Sequence, residues 1–223
     1  ERFSAIEPGY QKQVLGPSRY ELFRSSGYAL SDFVGARGGP GSARSHFIRP
    51  LASVRAASSM GGKPKGHFFL GERVLPYEPE GKVYAQAMDY SCVAGSTRML
   101  LSDHGVEIPE AFLRDALATT RRGTELSRAV GVLNDNITDA RYVFRRKLTF
   151  RELAASPSGS IVNVRADADR VHSLVVDRVE GGFVYIRDPL PQGTGKAYAV
   201  DVKTFLRYWR IPGKNHGIAV IID

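Results

Sequence analysis

A cysteine, a histidine and an aspartate in this chain have the order and surroundings that catalysis by a thiol requires. Cys92 is the only cysteine among 223 residues, and it opens an apolar run with roughly helical spacing that stops at His104-Gly105. Gly105 can take the left-handed conformation that ends a helix. The sequence therefore places Cys92 in the first turn of a helix, where unpaired backbone N–H groups and the helix dipole favour an anion.

A thiol attacks only as the thiolate, so its pKa, near 8.5 in a free cysteine, has to be lowered. A helix dipole contributes on the order of 0.3–1 kcal/mol at an exposed site, which is too little to hold the thiolate alone. A histidine partner is therefore also needed. Of the five histidines, His172 stands out because it opens a β-rich run that continues to Asp177.

Two glycines follow that run, and a second β-rich run, Phe183 to Asp188, comes after them. This pattern predicts a hairpin whose glycine turn allows positive φ. Pairing outward from the turn makes His172 and Asp188 cross-strand neighbours, and a carboxylate beside an imidazole fixes its tautomer and orientation. Pro189 ends the second strand and leaves Asp188 at its rim.

Gln86, six residues before Cys92, supplies a fourth role. Hydrolysis of an acyl group builds negative charge on the former carbonyl oxygen, and the Gln86 amide together with the Cys92 backbone N–H can donate to it. Losing one such donor typically costs about 2.7–4 kcal/mol. Each of these residues alone has an ordinary structural explanation, such as a buried thiol or a core histidine. Only their combination predicts a cysteine hydrolase.

The order of these four residues, the spacing from Gln86 to Cys92 and the block from His172 to Asp188 resemble the papain-like cysteine peptidases. Within that superfamily the resemblance is greatest to the bacteriocin-processing peptidases that cleave double-glycine leaders, and it covers roughly residues 80–223. It implies an α+β fold with the cysteine at the N-terminal end of a central helix packed against an antiparallel sheet. It also implies roles, namely oxyanion donor for Gln86, nucleophile for Cys92, general base for His172 and orienting acid for Asp188.

The residues after the cysteine differ from that family, because Val93-Ala94 stands where those peptidases usually have Gly-Pro. The resemblance therefore predicts the chemistry rather than the leader specificity. Papain-like modules are also found as C-terminal warheads of bacterial polymorphic toxins, which enter competing cells and are neutralised by an immunity protein. By this analogy we expect a soluble toxin or effector module, delivered from a producing bacterium into the cytoplasm of a target cell, where it cleaves a protein.

The net charge of +8 is spread along the chain rather than concentrated. The basic clusters match no zinc-finger or RNA-recognition signature, so nucleic acid is not an expected partner. The expected partners are a protein or peptide substrate and an acidic immunity or inhibitor protein. The positive net charge of this chain would speed association with the acidic protein by electrostatic steering. No run of about 18 apolar residues is present, so a membrane span is not expected either.

One cysteine excludes an intrachain disulfide and a Cys-rich zinc site. The expected thioester chemistry needs no metal or cofactor. Two alternatives to peptide-bond hydrolysis are compatible with the same sequence. The four residues can deamidate glutamine or transfer an acyl group, because these reactions share the thioester with hydrolysis. Otherwise the domain is a non-catalytic binding module that kept the fold.

The organisation of the chain changes near residue 80. Residues 1–80 hold glycine and serine clusters and short apolar runs, which predict an irregular arm or small lobe, whereas residues 81–223 are predicted to be the peptidase domain. Helices come first and strands later, the order of an α+β domain. The predicted helices are 92–103, 109–119, 125–134, 150–155 and 202–209, and the predicted strands are 141–145, 160–164, 173–179, 183–187, 198–200 and 217–222.

Overall fold

Apolar residues with a two-residue period build one antiparallel sheet, which forms the centre of the molecule. The structure is a computed structural model that describes residues 69, 72–157, 159–165 and 170–223. Within them the sheet has seven strands in the order β1-β6-β5-β4-β3-β7-β2. The strands are β1 Val74–Pro76, β2 Tyr142–Thr149, β3 Ser160–Arg165, β4 Val171–Glu180, β5 Phe183–Asp188, β6 Lys196–Asp201 and β7 His216–Ile222.

Five helices accompany the sheet in the described part of the chain: α1 Cys92–Asp103, α2 Glu110–Ala116, α3 Arg128–Asn136, α4 Phe150–Ala154 and α5 Val202–Trp209. None of them combines the length and the apolar character that crossing a membrane would take. The predicted α+β class, with helices before an antiparallel sheet, is confirmed.

The two faces of the sheet carry different helices. Val176 belongs to a core cluster with Phe205 and Trp209 of α5, whose rings stack with centroids 5.7 Å apart. Trp209 lies so close to the sheet that a Cβ on Gly217 would come 2.2 Å from its ring, so only glycine fits there. Val175, whose side chain points to the other face, packs under α1 near Gly159.

Helix α1 is buried along most of its length and contacts β4, β3, α2 and α3. Small residues let its neighbours come close. A Cβ on Gly95 would lie 3.0 Å from Cβ of Pro189 and 3.6 Å from Cα of Gln86. The glycine therefore allows the segment after β5 and the segment before α1 to meet against the first turn of the helix.

Several predicted boundaries shift. The second helix ends at Ala116 rather than residue 119, because Ala118 has a φ of +48° that no right-handed helix accepts. Strand β2 runs on to Thr149 through a register shift after Arg145. The charged residues 145–147 there are exposed, which an edge strand tolerates and which protects it from pairing with other chains.

Strand β1 lies inside the segment predicted to be an irregular arm, and it pairs with β6 at one edge of the sheet. Its last residue, Pro76, suits an edge, because proline has no N–H to donate to a further strand. The glycine and serine clusters of that segment lie outside the described residues. The division of the chain at residue 80 stays a prediction.

Candidate active site

Cys92 is the first residue of α1, at the position that the sequence predicts for it. The first intrahelical bond runs from Gly95 N to Ser91 O at 3.0 Å, so the N–H groups at the start of the helix point out of its end. Cys92 as a whole residue is partly exposed. A cysteine at the N-terminal end of a buried helix lies in a positive local field, which favours the thiolate.

His172 joins Cys92 to Asp188. The imidazole Nε2 lies 2.7 Å from Asp188 Oδ1, and both side chains are buried. Because a carboxylate accepts, Nε2 carries the hydrogen. His172 is near enough to Cys92 to lower the pKa of its thiol, and Nδ1 is the ring nitrogen left to face the sulfur. The imidazole therefore lies between the sulfur and the carboxylate, with one ring nitrogen for each.

An extra residue in β4 sets the face of the sheet on which His172 lies. Asp177 is skipped in the pairing of β4 with β5 and forms a β-bulge, a residue inserted into one strand of an antiparallel pair. The observed pairs are Glu180↔Phe183, Val179↔Val184, Arg178↔Tyr185, Val176↔Ile186 and Val175↔Arg187.

The bulge brings His172 and Asp188 to one face. A regular ladder counted from the turn would put Asp188 opposite Val175, and His172 would then point to the other face. With Asp177 inserted, the register continues so that Asp188 comes opposite Leu174, two residues from His172 and on its face. The two side chains are thus diagonal neighbours, within reach of each other, rather than directly opposed.

Arg187 holds the bulge in place. Its Nε and Nη2 lie 2.8 and 2.7 Å from Asp177 Oδ1, and its Nη1 and Nη2 lie 2.9 and 2.5 Å from the two oxygens of Asp103. Asp103 is the last residue of α1. The buried guanidinium of Arg187 therefore ties the helix that begins with Cys92 to the strand that ends with Asp188.

The carboxylate of Asp188 is fully buried, and three groups of the described part of the chain donate to it. Besides His172, Leu190 N donates to Oδ1 at 2.9 Å and Tyr198 Oη donates to Oδ2 at 2.5 Å. Burial alone would raise the pKa of Asp188, but the charge of His172 and these hydrogen bonds outweigh it and hold that pKa below its ordinary value. The group is an anion across the neutral range.

The same chain of contacts favours a thiolate and an imidazolium. Burial opposes the charge on His172, but the adjacent Asp188 carboxylate outweighs it and raises the pKa of His172 to about 10. Burial also opposes the thiolate of Cys92, yet the contact with His172, its positive charge and the neighbouring Ser173 lower the pKa of the thiol. The pair titrates together, and at neutral pH the charged form is favoured.

Ser173 was not among the predicted site residues. Its carbonyl oxygen accepts from the Ser96 hydroxyl at 3.1 Å, one helical turn after Cys92, and its own hydroxyl donates to Asn163 Oδ1 at 2.6 Å. The first bond fastens α1 to β4 next to His172, and the second joins β4 to β3. No local pattern could have revealed them, because the partners are far apart along the chain.

Gln86 lies against both the helix and the end of β5. Its backbone N donates to Pro189 O at 3.0 Å, and its carbonyl accepts from Gly193 N at 3.2 Å. Its side chain is buried, and Nε2 donates to Met88 O at 2.7 Å. The carbonyl oxygen of Met88 also accepts from Ser91 N at 3.2 Å. The amide thus lies beside the turn that leads into α1.

The orientation of that amide follows from its partner. Exchanging the nitrogen and oxygen of Gln86 would set two acceptors against each other at Met88 O, so the NH2 group faces this carbonyl. One of its two hydrogens is used there. Among the described residues, no donor reaches Gln86 Oε1.

A buried carboxylate that sequence reasoning missed lies beneath this turn. Glu110, the first residue of α2, is 5% exposed, and its Oε2 accepts from Ala87 N at 2.8 Å. Its Oε1 lies 3.6 Å from Arg114 Nη1, an ion pair too long for a hydrogen bond. Burial raises the pKa of Glu110, while contacts with Ser91, Ala87 and Arg114 work against that rise.

The raised pKa of Glu110 predicts how stability depends on pH. In the unfolded chain a glutamate has a pKa of about 4.3. Because the folded value is higher, the contribution of Glu110 to stability is fully present below pH ~4 and is lost as the pH rises through the folded pKa. We therefore expect the free energy of unfolding of Glu110→Gln, relative to wild type, to increase between pH ~4 and 7.

Urea unfolding at a series of pH values measures this difference. Glu80→Gln, which removes one exposed carboxylate, is the control for the change in net charge. A Glu110→Gln difference that stays constant with pH, or one that falls, would contradict the expected sign.

His104 lies away from the candidate site. It caps the C-terminal end of α1, with Nδ1 3.0 Å from Asp139 Oδ1 and Nε2 3.1 Å from Tyr142 Oη. Cys92 is at the opposite end of the same helix. Among the residues that the structure describes, no group of three or more His, Cys, Asp or Glu side chains is arranged to hold a metal ion.

The model of the peptidase C39 family matches residues 80–211, a range that includes Gln86, Cys92, His172 and Asp188. None of the curated proteins compared with the chain matches it.

Two solved structures have a similar fold. One is a double-glycine motif protease from an AMS/PCAT transporter in complex with the leader peptide, with a TM-score of 0.53 and 16% identity over 68% of this chain and 98% of the other. The other is the peptidase domain of Streptococcus ComA, a bifunctional ABC transporter, with a TM-score of 0.51 and 19% identity over 63% of this chain and 96% of the other. At these identities the likeness concerns the fold.

Proposed function

Since this chain belongs to the peptidase C39 family and is a cysteine peptidase, we propose that it hydrolyses peptide bonds through Cys92, His172 and Asp188. Gln86 and the Cys92 backbone N–H donate to the oxyanion. The observation that carries the proposal is the position of the His172 ring, which is bonded through Nε2 to Asp188 and lies in hydrogen-bonding contact with Cys92.

The first half of the reaction forms a thioester. The thiol proton of Cys92 passes to His172 Nδ1, and the thiolate attacks the peptide carbonyl carbon. A C–S bond forms while the carbonyl π electrons move to oxygen, where Gln86 Nε2 and the Cys92 N–H stabilise the negative charge. When the carbonyl reforms, the C–N bond breaks and His172 gives its proton to the leaving amine.

The second half regenerates the enzyme. A water molecule gives one proton to His172 Nδ1 as its oxygen attacks the thioester carbon, and the C–S bond breaks to release the acid product. The proton on His172 then faces the Cys92 thiolate again. Throughout the cycle Asp188 keeps Nε2 protonated and Nδ1 directed at the reacting atoms, and its negative charge favours the imidazolium that both halves require.

The substrate proposed is a peptide or a protein segment in extended form. The similar double-glycine motif protease was solved in complex with a leader peptide, which supports a peptide substrate for this chain. The toxin or effector role, delivery into a target cell and an acidic immunity protein stay predictions, since no described residue bears on them.

Comparison of the wild type with Cys92→Ala tests the proposal. Both proteins are expressed in bacteria, and the proteome is searched for new N-termini that appear only with the wild type. Discrete cuts of this kind support hydrolysis of peptide bonds. Glutamine converted to glutamate, or an added acyl group, with the chain intact, would instead show the deamidase or transferase alternative. No Cys92-dependent change of any kind would favour the non-catalytic binding module.

Replacement of Gln86 by alanine is expected to lower kcat by about 10²–10³-fold, because one donor to the oxyanion is lost. The rate at which iodoacetamide alkylates Cys92 should change little, since the thiolate depends on His172 rather than on Gln86. Both rates are measured on the same preparation. Gln86→Glu is the matched variant, with nearly the same shape and a negative charge in place of the donor. If that variant kept wild-type kcat, the proposed oxyanion role would be wrong.

A further inference from the structure

One buried carboxylate holds the loop that joins the two proposed oxyanion donors. The donors, the Gln86 side chain and the Cys92 N–H, belong to residues six positions apart. Glu110 Oε2 accepts from the N–H of Ala87, the residue after Gln86, at 2.8 Å. The hydroxyl of Ser91, the residue before Cys92, donates within the loop to Met88 O at 3.0 Å, and its nearness to Glu110 lowers the pKa of that carboxyl.

We propose that Glu110 is a positioning residue for the oxyanion site, acting through the loop from Gln86 to Cys92. It contacts neither the sulfur nor the imidazole, and its effect is on the distance and direction between the two donors. The inference rests on the proposed function, because it presupposes that Gln86 and the Cys92 N–H act together on one oxygen atom.

The backbone of Gln86 is itself held by Pro189 O and Gly193 N, but between Gln86 and Cys92 the loop has few attachments besides Glu110. Met88 N and Ser91 Oγ are 3.0 Å apart within the loop itself, a bond that shapes the turn without fixing it to the rest of the molecule. Gln192 Nε2 donates to Ala87 O from an exposed position. Glu110, in contrast, is 5% exposed and belongs to a helix that packs on α1, so it ties the loop to a rigid element.

Two nearby arginines explain how a carboxylate can be buried at position 110. Arg114, one turn along α2, and Arg98 of α1 both lie close enough for their charges to favour the carboxylate. Arg98 is itself held over the ring of Tyr84, with its guanidinium carbon 4.0 Å from the ring centroid. Two partly neutralising cations allow the ionised carboxylate to remain in a buried place, where it accepts more strongly than a neutral oxygen would.

Small displacements of a donor matter for the reaction. An oxyanion donor acts at about 2.7–3.1 Å from the oxygen, and a misplacement of about 1 Å can lower a rate by about 10²-fold. Glu110→Ala removes the acceptor of the Ala87 N–H and so frees the loop next to Gln86. We expect kcat to fall by about ten- to hundredfold, with little change in KM. Glu110→Gln keeps an oxygen that accepts from Ala87 N, and it should restore most of kcat.

A second measurement separates positioning from general loss of structure. The pH dependence of Cys92 alkylation depends on His172, Asp188 and Ser173, none of which Glu110 contacts. It should therefore be the same in Glu110→Ala as in wild type. The amount of rapidly alkylated Cys92 also gives the concentration of enzyme with a reactive thiol. Dividing the cleavage rate by this concentration gives a kcat that does not depend on how much of the alanine variant is folded.

A double-mutant cycle with Gln86→Ala provides the decisive experiment. If Glu110 acts by placing Gln86 and the Cys92 N–H relative to each other, then Glu110→Ala costs much less once the Gln86 amide is gone, and the two losses are not additive. The inference is supported by strong coupling, rescue by Glu110→Gln and an unchanged alkylation profile.

Other outcomes overturn it. Wild-type kcat in Glu110→Ala, equal losses in both backgrounds, or a shifted alkylation profile would each show that Glu110 does not position the oxyanion donors. These results leave the proposed function intact, provided that Gln86→Ala and Cys92→Ala behave as expected. If Gln86→Ala itself keeps wild-type kcat, the oxyanion role of Gln86 is wrong and the inference fails with it.

Discussion

Replacing Cys92 with alanine is expected to abolish hydrolysis, with a fall in kcat of about 10⁶-fold, comparable to the loss of the nucleophile from a serine hydrolase. The sulfur forms the only covalent bond between enzyme and substrate in the proposed cycle. Without it, Gln86 and His172 can still bind and polarise a peptide, but water would have to attack the amide directly. Only the small residual acceleration from binding and the oxyanion donors would remain.

The measurement is the initial rate of cleavage of a substrate identified from the new N-termini. Because Cys92 is the only cysteine, alkylation of the wild type provides an independent control. Iodoacetamide should add one group per chain and remove activity to the same extent as the substitution. Cleavage by Cys92→Ala at a rate near that of wild type would contradict the proposed mechanism.

Much of the fold was accessible from the sequence, because local patterns determine it. The apolar spacing after Cys92 predicts a helix that begins there, and α1 does begin at that residue. The two glycines after Glu180 predict a hairpin, and both adopt positive φ. Enzyme class could also be predicted, since Gln86 and Cys92 keep a spacing that the resemblance ties to peptidases. Membership of the peptidase C39 family confirms the class.

The register between His172 and Asp188 was not accessible in the same way. Simple pairing from the turn suggests that the two are neighbours, but counting residues puts their side chains on opposite faces. The bulge at Asp177 shifts the register by one residue and so brings both side chains to the same face. A bulge has no local sequence signature as definite as a glycine turn. Its anchor, Arg187, bonds to Asp103 from a distant helix. Such a contact exists only once the chain has folded.

Buried polar partners escaped prediction for a related reason. Tyr198 and Glu110 have ordinary positions in a strand and in a helix, and neither is near Cys92 in the sequence. Burial gives them their importance, because a buried donor or acceptor must be paired, and each is paired beside the candidate site. A search for buried polar groups in the folded structure finds them, whereas motif spacing does not.

Replacing His172 with glutamine is expected to reduce kcat by about 10⁴–10⁶-fold, because the proton transfers at both halves of the reaction lose their base and acid. Glutamine is preferable to alanine here. Its amide can donate to Asp188 Oδ1, so the buried carboxylate keeps a partner and the fold is less disturbed. His216→Gln, a histidine in β7, is the matched control and should keep wild-type kcat.

The same variant tests the electrostatics of the pair through the pH dependence of alkylation. In wild type the thiolate is present from the lowered pKa of Cys92 upward, and His172 stays protonated until about pH 10. Cleavage is therefore expected to rise as the thiolate forms and to decline as the pH passes about 10, where the leaving amine loses its proton donor.

In His172→Gln the positive charge is gone while burial of the sulfur remains, and burial raises the pKa of a thiol. The alkylation midpoint should thus move up, toward or above the ordinary value of about 8.5. An unchanged midpoint would mean that the helix end and Ser173 alone hold the thiolate, and His172 would then act only in proton transfer.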